Sequence, residues 1–338
     1  MSRIFKKGDR YLIAEIGGNH EGDLNVALDL IRLAATTGVD AVKFQSYTGK
    51  GLVNAVLDPE RVVHFDRFTL EPDDFQKLKC EADRLGLDFL SSIWDYDAYG
   101  NLIDDMPIIK IGSGDLTNRL YLERFARTGK PIVLSTAMSE LTEIIDAVHF
   151  IRGVNEVYKC ADKLCVMHCV AMYGNPKDEF ANLASIQKLQ EVFPNVEIGY
   201  SDHTIGNEAM VFAYALGVRK FEFHFTYDKN REFRDHHISL NSKDTVNLIE
   251  SFDRFDRMIG MCEKKPISSI ETPQRIIEFR RGVFLKRDLK KGEIVKLTDL
   301  TVLRPNIGIS AVDYYWLIGK KAVQSIKAFQ ALNKTFFE

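Results

Sequence analysis

Short apolar stretches alternate with amphipathic ones along residues 1–260 of the chain. The amphipathic stretches predict helices, and the clearest apolar stripes fall at Leu24–Thr37, Asn182–Phe193 and Ser242–Ile259. The apolar stretches predict eight strands: Tyr11–Glu15, Asp40–Phe44, Asp88–Ser91, Pro107–Lys110, Pro131–Leu134, Leu164–His168, Val196–Gly199 and Arg219–Phe223. Because neighbouring parallel strands need a crossover connection, this alternation predicts a parallel sheet.

The sheet could be closed or open. An open, doubly wound sheet would favour a glycine-rich phosphate turn after the first strand, and the segment EIGGNHEGD lacks the GxGxxG spacing. Eight strand–helix units favour closure. The sequence therefore predicts a (β/α)₈ TIM barrel over residues 1–262.

The remainder of the chain has a different pattern. Residues 263–279 contain lysines and two prolines with little periodicity, which is typical of a linker. After them, RGVFLKRDLKKGEIV predicts short strands around a KKGE turn. We therefore expect a small β-rich domain over residues 280–338.

Composition limits the class of protein. The 338 residues fit one barrel with a small appended domain, and the formal net charge of −3 gives no reason to expect nucleic acid as a partner. We find no apolar run long enough for a membrane span or a signal sequence. Five cysteines, an odd and small number, favour a reducing, cytoplasmic setting over a disulfide framework.

Polar side chains follow every predicted strand. In chain order they are Glu15, Lys43, Ser91 with Ser92, Lys110, Ser135, His168, the run Ser201–His203, and His224. Any one of them has a simple explanation, since strands end where polar residues begin. The βα loops at the carboxyl ends of barrel strands assemble the active site, however, so the whole set predicts a catalytic barrel mouth.

Two kinds of chemistry are represented in this set. Lys43 and Lys110 supply cations, and Ser113, Ser135 and Ser201 supply hydroxyls, which suits a phosphate and a carboxylate bound together. His203 and His224 follow consecutive strands, so both imidazoles could reach one divalent ion completed by oxygen ligands. Such an open site acts as a Lewis acid on a carbonyl.

Several long motifs are similar to those of the sialic acid synthase family. They are IAEIGGNHEGDL, DAVKFQSYT, KIGSGDLTN, KPIVLSTAMSEL, GYSDHTIG and FEFHFTYDKN. The C-terminal segment RRGVFLKRDLKKGEIVKLTDLTVLRPNIG resembles that family's antifreeze-like SAF domain. The resemblance implies a nonulosonic acid synthase, with a place in polysaccharide biosynthesis. Such an enzyme condenses phosphoenolpyruvate with an open-chain N-acyl amino sugar to give a nine-carbon 3-deoxy-2-keto acid and phosphate, with cleavage of a C–O bond.

The resemblance also implies roles for individual residues. Glu15 matches a proton-transfer carboxylate, and His203 and His224 match ligands of a metal, Mn²⁺ in the first instance with Mg²⁺ or Co²⁺ as alternatives. Phosphoenolpyruvate-binding positions are matched by Lys43, Ser92, Lys110, Ser113, Ser135 and Ser201. Sugar-binding positions are matched by Gln45, Tyr173, Asp235 and Arg304. Arg304 matches an arginine that one subunit delivers to its partner's barrel, which implies a domain-swapped homodimer.

Several features depart from the family pattern, among them three single positions. Phe223 stands where a basic residue usually precedes the second histidine, and Ala171 and Gly174 replace a polar residue and a proline around Tyr173. The loss of a cation and of a polar contact predicts a weakened phosphoenolpyruvate shell. The loop approaching Asp235 also departs, reading EFRD instead of the usual PGPD. Because the altered loops fall mostly on the sugar side, they predict an acceptor other than plain N-acetylmannosamine, such as a 2,4-diacetamido hexose. Phe223 and Ala171 also leave open a non-catalytic carbohydrate-binding homologue. A synthase that takes a phosphorylated or other sugar is a second alternative, although the SAF domain and the absence of a clear second phosphate pocket speak against it.

Overall fold

The computed structural model describes residues 8–232 and 235–338. The chain divides into two compact units, Met1–Gly260 and Met261–Glu338. The first unit contains eight strands: β1 Tyr11–Gly17, β2 Ala41–Ser46, β3 Asp88–Ile93, β4 Ile109–Ile111, β5 Ile132–Ser135, β6 Leu164–Cys169, β7 Glu197–Asp202 and β8 Lys220–His224. Each overlaps one of the eight predicted strands, so those predictions are confirmed.

The eight strands form one curved parallel sheet. Their order is β3-β2-β1-β8-β7-β6-β5-β4, and every hydrogen-bonded pair is parallel. The first and last strands pair directly, with Glu15 opposite His224. At the remaining seam β3 and β4 lie side by side, and the Ser91 N–H donates to Met106 Sδ at 2.9 Å in place of a ladder bond. The result is a nearly closed eight-stranded barrel of the TIM type.

Helices connect the strands on the outside of the barrel. They are α1 Leu24–Ala35, α2 Gly49–Leu52, α3 Pro59–Asp66, α4 Pro72–Arg84, α5 Tyr96–Tyr99, α6 Leu102–Asp105, α7 Arg119–Arg127, α8 Leu141–Val154, α9 Ala184–Val192, α10 Glu208–Ala215 and α11 Ser242–Ile259. Helix α1 begins at its predicted residue because Asp23 Oδ1 accepts the Asn25 N–H at 2.7 Å, a cap that stabilises a helix by about 1 kcal/mol. Gly38, at a φ of 91°, lets the chain turn back toward β2. None of the helices among the described residues has both the length and the apolarity that a membrane span requires.

Strand side chains alternate between two layers. One set fills the inside of the barrel and includes Tyr11, Ile13, Leu90, Cys165 and Met167. The other set packs against the helices. This alternation determines which residues at the strand ends face the central cavity.

The second unit is small and rich in β-structure. Strands β9 Gly282–Leu285 and β10 Leu300–Leu303 pair antiparallel over a separate apolar core. The segment interpreted from sequence as a linker contains a helix, α12 Pro273–Phe279, and a short helix α13 spans Tyr314–Leu317. Thr272 Oγ1 accepts the Arg275 N–H at 3.3 Å and a proline occupies the first turn, so α12 has a start signal despite its weak periodicity.

Candidate active site

A cavity of about 760 Å³ opens at the carboxyl ends of the eight strands. Every strand contributes to its lining, through Glu15, Lys43, Ser92, Lys110, Ser135, Cys169, Ser201, Glu222 and His224. Loops add Ser113, Tyr173 and His203, and β2 adds Gln45. The cavity therefore brings together most of the residues that the sequence singled out.

Two lysines and two carboxylates form a buried charged cluster at the bottom of this cavity. Lys43 Nζ lies 2.7 Å from Glu15 Oε2 and 3.7 Å from Glu222 Oε2. Lys110 Nζ lies 3.3 Å from Glu222 Oε1. All four side chains are less than 10% exposed, so water screens these interactions little.

Three serine hydroxyls complete the cluster. Lys110 Nζ donates to Ser135 Oγ at 2.7 Å, and Lys43 Nζ donates to Ser92 Oγ at 3.3 Å. Ser201 Oγ donates to Glu222 Oε1 at 3.0 Å. Each ammonium group thus has a serine hydroxyl beside it, and this arrangement suits an anion with several oxygens.

The two carboxyl groups of the cluster have opposite protonation behaviour. Burial raises the pKa of Glu15 to about 7, with Lys43 opposing the rise and Glu222 adding to it. Burial also acts to raise the pKa of Glu222, but Lys110 and Lys43 together lower it to about 2. The physical reason is that Glu222 lies between both cations, whereas Glu15 faces one cation and the other carboxylate. Of the two carboxyl groups, Glu15 is therefore the one whose pKa lies near neutral pH.

The pKa values of the two lysines also shift in opposite directions. Burial acts to lower the pKa of Lys43, yet the carboxylates of Glu15 and Glu222 raise it overall. Burial lowers the pKa of Lys110, and Glu222 only partly offsets this. Lys43 is thus the more firmly charged of the two cations.

Two histidines stand at the wall of the cavity beside this cluster. The rings of His203 and His224 have their centroids 5.0 Å apart, and His203 Nε2 lies 3.2 Å from the Tyr173 hydroxyl. Burial, together with the charge of His224, lowers the pKa of His203 to about 3, so that this imidazole is neutral at pH 7. A neutral imidazole is the form that binds a metal.

These residues fit a divalent cation only if other ligands join them. Among residues 8–232 and 235–338, no group of three or more His, Cys, Asp or Glu side chains is arranged to hold a metal ion. His203 and His224 would supply two nitrogen ligands, and water or substrate oxygens would supply the rest. A site of this kind keeps positions open for a substrate.

The remaining predicted residues fall in different places. Ser113 lies in the cavity wall, where its Oγ accepts the Ala137 N–H at 2.9 Å. Asp235 is buried, and its Oδ2 lies 3.9 Å from His224 Nδ1. Arg304 belongs to the second unit, where its guanidinium lies over the Phe279 ring at 5.2 Å from the ring centroid.

Strand alternation corrects two sequence-based expectations. His168, expected at the exit of the sixth strand, faces away from the cavity: it stacks on Tyr200, and its Nε2 lies 2.9 Å from the Ala181 carbonyl oxygen. Cys169 lines the cavity instead. Phe223 is 2% exposed and packs in the layer between strands and helices, so it occupies no position in the cavity wall.

The other two departures lie near Tyr173. Ala171 does line the cavity, so this part of the wall lacks a polar side chain. Gly174 has a φ of 105°, a conformation that glycine adopts without strain and proline does not. A proline at position 174 could therefore not adopt this backbone conformation.

Sequence reasoning missed Glu222, which holds both lysines. A signal was present, because Glu222 is two residues before His224 on a strand and must point the same way. Sequence reasoning also did not predict which segment forms the outer wall of the cavity. That wall is formed by residues 49–66, which contribute Leu52, Val53, Asn54, Leu57, Asp58, Arg61 and Phe65.

Comparisons with known proteins agree over most of the chain. The model of the NeuB family matches residues 30–264, and that of the SAF domain matches residues 280–334. The chain is 37% identical over 314 residues to the uncharacterized protein MJ1065 of Methanocaldococcus jannaschii, covering 90% of each. It is 34% identical over 338 residues to N,N'-diacetyllegionaminic acid synthase of Campylobacter jejuni, covering 96% of this chain and 98% of that protein. Among solved structures, N-acetylneuraminic acid (sialic acid) synthetase from Leptospira borgpetersenii superposes with a TM-score of 0.71 at 29% identity, over 79% of this chain and 90% of that one.

Proposed function

The chain belongs to the NeuB family, and on that premise we propose that it is a phosphoenolpyruvate-dependent nonulosonic acid synthase. Its substrates would be phosphoenolpyruvate and an open-chain N-acyl amino sugar. Its products would be a nine-carbon 3-deoxy-2-keto acid and inorganic phosphate.

The observation that carries this proposal is the buried cluster of two lysines, two carboxylates and flanking serines. Lys43 and Lys110 each have a hydroxyl within 3.3 Å, which suits the carboxylate and the phosphate of phosphoenolpyruvate. Ser113 and Ser201 add donors at the same end of the cavity. Phosphoenolpyruvate, with three negative charges, would provide the counter-charge for the two lysines that Glu15 and Glu222 provide in its absence.

The second substrate would bind at the histidine side of the cavity. Gln45 and Tyr173 line this region, and Asp235 lies beside His224, so these three would contact the sugar. A divalent cation on His203 and His224, Mn²⁺ in the first instance, would act as a Lewis acid on the sugar aldehyde.

The bonds and charges of the reaction balance without another reactant besides water. C3 of phosphoenolpyruvate forms a bond to the aldehyde carbon, and the carbonyl electron pair moves to the aldehyde oxygen, which takes up a proton. Water adds to the oxocarbenium carbon C2 and gives up two protons, which balance the proton taken by the aldehyde oxygen and the one taken by the departing phosphate. The C2–O bond to phosphate then breaks, and a ketone remains at C2.

Protein groups must accept and return those protons. Glu15 suits this task because its pKa of about 7 leaves both protonation states populated near neutral pH. Gln45 Nε2 donates to Glu15 Oε1 at 2.7 Å, which keeps the carboxyl oriented toward the cavity. Glu222, with its pKa held low by two lysines, would stay a carboxylate and balance their charge.

The outer wall supports a proposal for the class of acceptor. Leu52, Val53, Leu57 and Trp94 all line the cavity, and apolar side chains of this kind suit the methyl group of an acyl substituent. An acceptor with a second acyl group, such as a 2,4-diacetamido hexose, therefore fits this end. Arg61 also lines it, so a sugar phosphate is the acceptor to test alongside.

The proposal extends to the oligomer. Arg304 would enter the cavity of a second copy of the chain and contact its sugar, in a domain-swapped homodimer. Each active site would then need two chains.

The test is incubation of the protein with phosphoenolpyruvate, Mn²⁺ and a panel of acceptors. The panel holds N-acetylmannosamine, its 6-phosphate and 2,4-diacetamido hexoses, and both phosphate and keto acid are measured. Phosphoenolpyruvate labelled with ¹⁸O at the bridging position should give labelled phosphate, since the C–O bond breaks. If no acceptor yields keto acid while the protein still binds sugars, a non-catalytic binding protein would replace this proposal.

A further inference from the structure

Asn19 lies in the loop after β1, within the motif IAEIGGNHEGDL, and has no place in the cavity lining. Its side chain is fully buried. The amide Nδ2 donates two hydrogen bonds of 2.9 Å, one to the Phe225 carbonyl oxygen and one to Ser239 Oγ. Both acceptors belong to the loop that follows β8, so Asn19 connects two loops that are far apart in the sequence.

That loop carries Asp235. Ser239 Oγ, which accepts the hydrogen bond from Asn19, itself donates to the Asp235 carbonyl oxygen at 2.6 Å. The base of the loop is held by backbone bonds, from the Phe225 N–H to the Glu15 carbonyl at 2.8 Å and from the Leu240 N–H to the His224 carbonyl at 2.8 Å. Asn19 therefore ties the start of the loop to the residue that orients the Asp235 backbone.

We propose that Asn19 is a positioning residue for the acceptor sugar, acting through Ser239 on Asp235. The inference rests on the proposed function, which assigns Asp235 to the sugar. Asp235 reaches His224 at 3.9 Å from a loop rather than from a strand, so its placement depends on how that loop is held. Phosphoenolpyruvate binds at the lysine cluster, which Asn19 does not touch.

A second set of contacts holds the outside of the same loop. His236 Nε2 lies 3.1 Å from Glu21 Oε1, and His236 Nδ1 lies 2.7 Å from Thr226 Oγ1. Arg231 Nε donates to Glu21 Oε1 at 2.8 Å. Because none of these contacts involves Asn19 or Ser239, we expect a variant at either position to keep the loop in place while the Asp235 backbone loses its orientation.

The main variant is Ser239→Ala, which removes the bond to Asp235 and leaves the Asn19–Phe225 bond intact. We expect kcat/KM for the acceptor to fall about 10-fold, because a displacement of roughly 1 Å at a binding group costs up to about 100-fold. The KM for phosphoenolpyruvate should change by less than about twofold. Asn19→Ala should have a similar effect, and the double variant should be no worse than the stronger single variant, since both act along one path.

Asn155→Ala is the matched control. Asn155 Nδ2 also donates to a carbonyl across two elements, to Ala126 at 3.2 Å, but neither residue lines the cavity. The Asn155→Ala variant should leave both kcat/KM for the acceptor and KM for phosphoenolpyruvate unchanged. If Ser239→Ala weakens acceptor and phosphoenolpyruvate to the same extent, or if the two single effects multiply, the positioning role is overturned.

Hydrogen exchange in the ligand-free protein provides a readout independent of turnover. Amide exchange over residues 235–240 should be faster in Ser239→Ala than in the parent, with little change in the melting temperature. Unchanged exchange would overturn the inference even if the enzyme is active. If the parent turns over no acceptor but exchange increases as expected, the proposed function fails while the structural role of Asn19 and Ser239 stands.

Discussion

Replacing Glu222 by glutamine tests the charged cluster most directly. Glu222 lies 3.3 Å from Lys110 and 3.7 Å from Lys43, and it accepts a hydrogen bond from Ser201. Glutamine keeps the size of the side chain and the contact with Ser201. The substitution therefore removes a charge and little else.

The expected cost follows from burial. Removing one partner of a buried ion pair costs about 3–5 kcal/mol, because the remaining charge has neither water nor a counter-charge. Burial already lowers the pKa of Lys110, and without Glu222 it would fall further, so that proton loss relieves part of the penalty. We therefore expect a loss near the lower limit, about 3 kcal/mol in the free energy of unfolding, or roughly 6 °C in melting temperature for a domain of this size.

The assay is thermal unfolding with and without phosphoenolpyruvate. The anionic ligand replaces the missing charge, so it should raise the melting temperature of Glu222→Gln more than that of the parent. Adding Lys110→Met to the variant should restore part of the stability, because no unpaired cation then remains. A variant as stable as its parent, or an equal ligand effect on both, would refute the view that Glu222 is the counter-charge of the two lysines.

Three further predictions concern the site and its partners. His203→Ala should abolish metal-dependent turnover while circular dichroism still reports a folded barrel; activity retained after chelation would contradict the metal role. Arg304→Ala should lower turnover, and mixing it with His203→Ala should restore some activity if each site uses two chains; an absence of complementation would contradict the swapped dimer. The folded-state pKa of Glu15, about 7, lies above its ordinary value of 4.5, so the protonated carboxyl stabilises the fold at low pH, and this contribution disappears as pH rises through 7. The melting temperature of the parent should therefore fall relative to Glu15→Gln between about pH 5 and pH 8, and a constant difference across that range would contradict the raised pKa.

The sequence by itself determined the fold, because local patterns suffice for it. Each barrel strand is a short apolar run, and each long helix has an apolar stripe, so periodicity located all eight strands to within a few residues. The carboxyl ends of parallel strands meet at one end of a barrel, so the sequence predicts Glu15, Lys43 and Lys110 in one cavity, where the structure has them. The chemical roles of these residues remain predictions.

Only the tertiary structure decided which neighbouring residue of a pair faces the cavity. At the end of β6 the choice falls on Cys169 rather than His168, because side-chain direction changes with every residue and an error of one reverses it. Contacts between distant loops are equally inaccessible to local patterns. Asn19 and Ser239 are 220 positions apart and meet because closure of the barrel brings β1 beside β8. The sequence shows a polar residue in a motif, and the closed sheet supplies its partner.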